Sequence, residues 1–379
     1  MKIKTITCHD VYNVGASLQA YALATYLKSL GHDTEIIDYK PEYLQHFKLF
    51  GSVSGRYNRP ILREIYHIVK FPGRLKARLS KRKKQYDIFT AKFLPITSKC
   101  YHSNEELKKD PPEADLFFAG SDQIWNTLFP NGKDPAFYLD FAPEKAIKAS
   151  YAASFATKDI DEEYKEQVKK WLLNFDFISV REGSGLDIIH SFGIADAVQV
   201  LDPVFLLSLE NWQKIEKNLN VKERYVLLYD FDNNIELCNY ARELADQNNY
   251  KVYSILPSKV ADRCFSEEGP NAFLYLIHHS EFVVSNSFHA TAFSIIFQKP
   301  FVVFNRSENI NTRMADLVSS VGLSDRIIDY SFSIQQKNEI DFGSVQLLLN
   351  GKIQESKQYI NMVLRKVGEL HEERDPFCN

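Results

Sequence analysis

Short apolar runs alternate with amphipathic stretches along most of the chain, which predicts an α/β protein with parallel sheets. The first unit reads as strand 3–8, a polar turn, helix 17–30 stopped by Gly31, and strand 34–39. Strands at 115–119, 147–152 and 176–180 follow, with helices at 161–174 and about 184–191. Strand 198–201 runs into Asp202-Pro203, a turn signal that predicts a boundary between an N-terminal unit, 1–203, and a C-terminal unit, 204–379. The second unit repeats the rhythm with strands 225–229, 251–256, 281–285 and 301–304 and helices 233–248, 270–279, 288–297 and 312–321. A last helix over about 343–370 is long enough to return to the first unit. The pattern predicts two Rossmann-like, doubly wound domains facing a cleft at the carboxyl ends of both sheets.

The stretch 56–95 breaks this rhythm. Between Arg56 and Lys84 stand eleven Lys or Arg and a single acid, Glu64. Ile61, Leu62, Ile65, Ile68, Val69, Leu75 and Leu79 recur at roughly helical spacing around Pro72-Gly73. Such a basic amphipathic insertion either packs its apolar side on its own domain or lies on an anionic surface, such as the inner face of a membrane. Nucleic acid is disfavoured, because stacking aromatics are not interleaved with the charges.

Composition narrows the class. The 379 residues carry 45% hydrophobic and 25% charged side chains and a net charge of −3, values of an ordinary globular protein rather than a polyanion binder. No apolar run reaches the roughly 20 residues of a membrane-spanning helix, and the first residues read as a strand, not a signal peptide. Five scattered cysteines, at 8, 100, 238, 264 and 378, form no C-x-x-C and read as free thiols of a reducing cytoplasm, not a zinc site.

Candidate chemistry lies in four turns, each placed after a predicted strand. His9 to Ser17 contains Asn13 and Gly15; the glycine permits close approach of backbone to a ligand at a helix N-terminus, or simply makes the turn. Gly120-Ser121-Asp122-Gln123-Ile124-Trp125-Asn126 packs polar groups and an indole into seven residues. Asp122 there is either a base or hydroxyl acceptor beside a sugar-stacking Trp125, or a helix cap with Trp125 in the core. Arg181-Glu182 ends a strand, where the arginine forms an anion clamp or a surface pair. The fourth turn, Ser285-Asn286-Ser287-Phe288-His289, follows Phe282-Val283-Val284 and opens a helix, so an imidazole sits where backbone N–H groups favour an anion. His278-His279 reads as a helix-end cap. H-E-x-x-H, G-x-S-x-G and a phosphate-binding P-loop are absent, so metal and serine-nucleophile chemistry lack a motif.

Five segments together resemble the polysaccharide pyruvyl transferase family. They are Asn13-Val-Gly-Ala-Ser-Leu-Gln-Ala-Tyr-Ala-Leu, Gly120-Ser-Asp-Gln-Ile-Trp-Asn, Ser150-Tyr-Ala-Ala-Ser-Phe, Ser179-Val-Arg-Glu and Ser287-Phe-His-Ala-Thr-Ala-Phe-Ser-Ile-Ile-Phe. They run in the family's order between about residues 3 and 327. The resemblance implies a fold like the two-domain GT-B glycosyltransferases, with the acceptor on the N-terminal side. It implies phosphoenolpyruvate as donor substrate, no cofactor, and a nucleotide- or lipid-linked sugar of a surface polysaccharide as acceptor. Arg181 matches the family's donor-binding arginine and His289 its active-site histidine, with Asp122 set to orient or deprotonate the acceptor. Some members carry a basic residue just before that histidine; here Ser287 and Phe288 stand there, which points to Arg306 and Arg313 as the rest of the clamp. Two readings stay open beside this one: a GT-B glycosyltransferase using a nucleotide sugar, and a non-catalytic carbohydrate-binding protein.

Overall fold

A computed structural model describes residues 1–45, 69, 71–73, 75–307, 311–328 and 339–374. The first sheet contains β1 (Lys2–Ile6), β2 (Asp33–Tyr39), β3 (Ile96–Tyr101), β4 (Leu116–Ala119) and β5 (Ile147–Ser150), in the order β3-β2-β1-β4-β5 with every neighbour parallel. A two-stranded ribbon, β6 (Ser179–Val180) and β7 (Val198–Gln199), extends it through backbone bridges from Ala149 to Phe177 and from Ala153 to Val180. The second sheet contains β8 (Tyr225–Tyr229), β9 (Lys251–Ser254), β10 (Arg263–Cys264), β11 (Phe282–Ser285), β12 (Phe301–Phe304) and β13 (Ile327–Ile328). Its order is β10-β9-β8-β11-β12-β13, again parallel throughout. Central strands such as Leu-Phe-Phe-Ala of β4 are buried at every position, as a strand covered by helices on both faces must be.

In each sheet the strand order reverses at one crevice, between β1 and β4 and between β8 and β11. Ligands of open α/β sheets bind outside the carboxyl ends at such points. The turns singled out in the sequence leave β1, β4, β6 and β11 there. The helix Val14–Ser29 starts at the first crevice because Asn13 accepts from the Gly15 and Ala16 amides, and it ends at Gly31, whose φ of 87° suits glycine.

The two units share one apolar core. Leu18, Leu23 and Leu27 of the first helix belong to the same cluster as Trp212, Phe273 and Phe293 of the second unit. Tyr21 meets Trp212 with ring centroids 5.7 Å apart, and Trp212 meets Phe293 at 4.9 Å. The final helix, Phe342–Arg374, seals the arrangement. Its Tyr359 hydroxyl donates to the Ser150 carbonyl at 2.8 Å, and its Ser356 hydroxyl oxygen accepts from the Leu201 amide at 2.9 Å.

Three expectations change. The strands expected at 176–180 and 198–201 shorten to two residues each. The edge strand β3 was not expected, because polar Thr97, Ser98 and Lys99 interrupt its apolar pattern. Much of the basic stretch lies outside the described residues. Its end forms the helix Lys81–Phe93, which buries Tyr86 and Phe89 in the core that the two units share. Lys81 pairs with Glu268 at 2.7 Å, Arg82 donates to the Tyr12 carbonyl at 3.0 Å, and Lys83 pairs with Asp87 at 2.7 Å, so these cations have partners within the protein. Among the described residues no helix is long and apolar enough to cross a membrane.

The seating of the final helix fixes an ordering of stabilities. Tyr359→Phe should cost about 1–2 kcal/mol for the lost bond to Ser150, whereas Tyr359→Ala should cost about 3–5 kcal/mol for the emptied core position. Urea unfolding checks this; equal small losses would mean that the helix does not hold the two units together.

Candidate active site

Where the carboxyl ends of the two sheets face each other, charged side chains from four elements meet below the surface. Asp202, legible in the sequence only as a turn marker, is the hub. It is buried, and its Oδ2 receives the Arg181 Nη1, lies 3.3 Å from the Ser121 hydroxyl and 3.6 Å from His289 Nε2. Its Oδ1 accepts from the Val204 amide at 3.1 Å and so caps the turn Pro203–Leu206. One carboxylate therefore fixes a chain turn, an arginine and a histidine together. The sequence signal was an acid directly at the end of an apolar run, and the proline after it drew attention to the turn instead.

Asp122 forms the opposite side of the cluster. Its backbone takes φ of 73°, a left-handed conformation unusual for a non-glycine residue and costly to hold. Its carbonyl accepts from the Ile124 and Ser154 amides, which locks the turn against the segment after β5. Its Oδ1 stands 3.3 Å from Arg181 Nη2 and 3.4 Å from Arg313 Nη1. Asp122 is thus no helix cap but a carboxylate shared between two guanidinium groups. Both guanidiniums lie near the Phe288 ring, at 4.6 Å for Arg181 and 5.5 Å for Arg313, within the range of cation–π attraction.

The charges shift one another. Burial alone would raise the Asp202 carboxyl, but Arg181 and then His289 outweigh it and hold the group well below the usual carboxylate range. The same contest leaves Asp122 lowered, with Arg181, His289 and Arg313 prevailing over burial. Burial, reinforced by the like charge of Arg181, brings the Arg313 guanidinium down to about 10. Glu182 behaves differently: burial pushes it up, only partly offset by Arg181 and the Ala156 amide.

His289 opens the helix Phe288–Ile296, whose N-cap is Ser287. The imidazole is wedged between Asp202 at its Nε2 and Gly15 at its Nδ1 edge, where a methyl group on Gly15 would overlap the ring. Gly15 is therefore required for close approach of the first helix to the second domain's histidine. Asn286 staples the neighbouring loops, its Oδ1 accepting from the Phe231 amide at 3.0 Å and its Nδ2 donating to Asp230 at 2.8 Å. Arg306 bonds Asp232 at 2.9 Å with its guanidinium 4.9 Å from the Phe231 ring.

Two cavities flank Phe288 and Arg313, which line both. The smaller, of 110 Å³, is walled by Asn13, Asp122, Gln123, Asn286, His289 and Arg306 among others. The larger, of 440 Å³, borders Arg181 and Asp202. His289 Nε2, Arg181 Nε and Arg313 Nε are buried polar atoms with no hydrogen-bond partner among the described residues. Such atoms cost about 1–3 kcal/mol each when left unmade, and here they cluster.

Several candidates build the site without lining either cavity. Trp125 does not offer its face to a sugar: it is buried, stacks on Tyr138 at 5.6 Å and donates its Nε1 to the Phe137 carbonyl at 3.0 Å, because the turn after β4 folds into the core. Asn126 bonds Gln123 and the Leu128 amide inside the same turn. Gly120 packs against the Ile6 carbonyl and Thr7, each 3.2 Å from where a side chain's first carbon would stand. Ser121 donates to the Ala152 carbonyl beside Asp202. Glu182 is fully buried, its Oε1 accepting from Ser154, Phe155 and Ala156, so it is not a surface partner of Arg181.

His279 is the C-cap of the helix Pro270–His278, its backbone N–H donating to the Tyr275 carbonyl at 3.0 Å, and the His278 and His279 imidazoles both face Glu216, at 3.0 and 3.5 Å. The ligand atoms of these three lie within 4.8 Å of one another, so they are the described group able to hold a metal, at the opposite end of the helix Phe288–Ile296 from His289, where His278 stacks on Phe297 at 4.8 Å.

A family model described as polysaccharide pyruvyl transferase matches residues 13–308. No curated protein sequence matches the chain. Among solved structures, UDP-GlcNAc 2-epimerase of Methanocaldococcus jannaschii in complex with UDP-GlcNAc and UDP is 14% identical over 97% of this chain and 100% of its own, with a TM-score of 0.49. UGT89C1 of Arabidopsis thaliana complexed with UDP-L-rhamnose is 10% identical over 97% and 98%, with a TM-score of 0.48. The E. coli ADP-heptose LPS heptosyltransferase II is 12% identical over 94% and 100%, with a TM-score of 0.36.

Two outcomes test this geometry. Gly15→Ala should displace the His289 ring and reduce catalysis by about a hundredfold or more while the protein stays folded; unchanged His289 NMR shifts would contradict the wedge. Asp202→Asn removes the closer of the two carboxylates that face buried Arg181 and should cost about 3–5 kcal/mol near neutrality. Because the folded Asp202 value is depressed, its contribution is complete above the ordinary carboxylate pKa of about 4 and is lost as pH falls below it. The variant's stability should therefore fall less steeply than wild type below about pH 4; parallel acid limbs in denaturation at a series of pH values would remove Asp202 from the hub.

Proposed function

The chain belongs to the polysaccharide pyruvyl transferase family, and from that premise we propose that it transfers pyruvate from phosphoenolpyruvate to two hydroxyls of a sugar, forming a ketal and releasing phosphate. The acceptor is a nucleotide- or lipid-linked sugar of a surface-polysaccharide precursor. One observation carries the donor assignment. The 110 Å³ cavity is small, borders His289, Arg306 and Arg313, and adjoins buried guanidinium and imidazole nitrogens that have no described hydrogen-bond partner. A compact ligand bearing both a carboxylate and a phosphate suits that wall, because guanidinium groups bind both anions in charge-assisted pairs.

The chemistry balances without an oxidant or reductant. A proton adds to the methylene carbon of the donor, making a methyl group and an electron-poor C2. A sugar hydroxyl attacks C2 and loses its proton. The C2–O bond to phosphate then breaks, the phosphate leaving with its electron pair. The second hydroxyl attacks, and its proton goes to the departing phosphate. Of the two hydroxyl protons, one replaces that spent on the methyl group and one leaves with phosphate. His289 is the acid and base for these transfers, with Asp202 holding its ring. Arg181 and Arg313 neutralise the charge gathering on phosphate, and Asp122, already shared between them, orients the acceptor hydroxyl.

Phosphoenolpyruvate should raise the melting temperature with no nucleotide sugar present. His289→Ala should retain that stabilisation yet lower acceptor-dependent phosphate release by about 10²–10⁴-fold. Full phosphate release by His289→Ala would remove the histidine from the chemistry, and stabilisation by a nucleotide sugar with none by phosphoenolpyruvate would favour glycosyl transfer.

A further inference from the structure

We propose that Glu216, His278 and His279 form a structural site for a divalent transition-metal ion of the zinc class. Glu216 follows the short helix Leu209–Gln213, whereas His278 ends the helix Pro270–His278, 62 residues further along the chain, so no local motif announces the group. Neighbouring residues on a regular helix do not face each other. Here they converge because the helix stops: His279 is its C-cap, with φ of −100° and ψ of 4°, and the two ring centroids lie 4.6 Å apart. Both rings turn to one carboxylate, His278 Nδ1 to Oε2 at 3.0 Å and His279 Nε2 to Oε1 at 3.5 Å.

A hydrogen bond to Glu216 accounts for His278 but not for His279, whose 3.5 Å separation is too long for a good bond. An ion between the three groups accounts for both. Ligand atoms at zinc distances from a tetrahedral ion stand about 3.3–3.6 Å apart. The widest separation here is at most 4.8 Å, so the side chains need to close by roughly 1 Å. Two imidazoles with one carboxylate suit zinc and its neighbours, not Mg²⁺ or Ca²⁺, which take oxygen ligands. An outer partner is also in place. The Gln213 side-chain amide lies 3.4 Å from His278 Nε2, the nitrogen that an ion at Nδ1 leaves protonated. With its oxygen turned to the ring, that amide accepts the proton and fixes the tautomer. His278 stacks on Phe297 at 4.8 Å and His279 packs on Tyr275 at 4.2 Å, which holds both ring planes. Glu216 and His278 are half-buried and His279 is exposed, so an ion enters from solvent and keeps water in its remaining position.

Position makes the site a staple and not part of the catalytic cluster. It lies across the helix Phe288–Ile296 from His289, and nine residues of helix span about 13 Å. The segment it fastens carries Trp212, whose indole meets Tyr21 of the first unit and Phe293 of the second. An ion joining Glu216 to the end of the helix Pro270–His278 stiffens the passage between the units.

Full-length protein stripped with a chelator and titrated with ZnCl₂ tests this. Zinc at a hundred times its dissociation constant should raise the melting temperature by about 3 °C, and MgCl₂ should not. Gln213→Ala should weaken zinc binding by about tenfold, and His279→Ala or Glu216→Gln by more than that. Each variant is compared with and without zinc, so a loss of stability of its own does not enter the readout. X-ray absorption should show nitrogen and oxygen ligands, and zinc should slow amide hydrogen exchange across residues 209–217. No zinc-dependent shift in the wild-type protein, full affinity in His279→Ala, sulfur among the ligands, or equal stabilisation by MgCl₂ would each overturn the site. Zinc binding without added protection of residues 209–217 would overturn its role as a staple.

Discussion

The buried pair between Arg181 and Asp202 is the constraint on which the rest of the site depends. Removing two charges from water costs several kcal/mol per ion, so such a pair persists only with good geometry and further hydrogen bonds. Asp202 has them, from the Val204 amide and the Ser121 hydroxyl, and it adds the approach to His289. The pair also sits where the first unit hands over to the second, so it couples chain path to site assembly. A change that weakens it acts on stability and on the placement of both cationic groups at once.

The pairing of Asp122 contrasts with this. Its contacts to Arg181 and Arg313 are long, 3.3 and 3.4 Å, and its backbone is held left-handed. Two guanidiniums and two carboxylates leave the cluster near neutrality before any ligand enters. On the proposed pyruvyl-transfer reading a dianionic donor would disturb that balance, and the loosest contacts would give way. Asp122 would then be the group whose interaction with the arginines the donor replaces, freeing its carboxylate for the acceptor. Strain concentrated at such a residue is common where a site must exchange one interaction for another.

Sequence periodicity carried most of the fold. Helix Pro270–His278 and strands β8 and β12 fall almost where apolar spacing puts them, because a buried parallel strand or an amphipathic helix writes its burial into the chain. The edge strand β3 did not, since Ser98 and Lys99 are exposed and buried Thr97 accepts from the Asp38 amide. At the site, the titratable residues of the turns were legible, but their partners were not. Asp202 looked like turn punctuation because a capping acid and a charge-pairing acid have the same sequence signature. Trp125 shows the converse: an indole in a polar turn suggests a ligand platform, yet the turn folds inward and the ring is used for packing.

The absence of a basic residue directly before His289 also has a structural account. Phe288 occupies that position and presents its ring to guanidiniums arriving from two other elements, Arg181 from the end of β6 and Arg313 from the helix Thr312–Ser320. The cationic function is thus supplied from both domains rather than from the histidine's own turn. An aromatic platform keeps two like charges close without a water shell, at the expense of an Arg313 guanidinium lowered to about 10. A clamp assembled in this way is complete only when the domains are in register. Gly15, the Asp316–Gly183 bond and the final helix enforce that register, although none of them supplies a cation to the cluster.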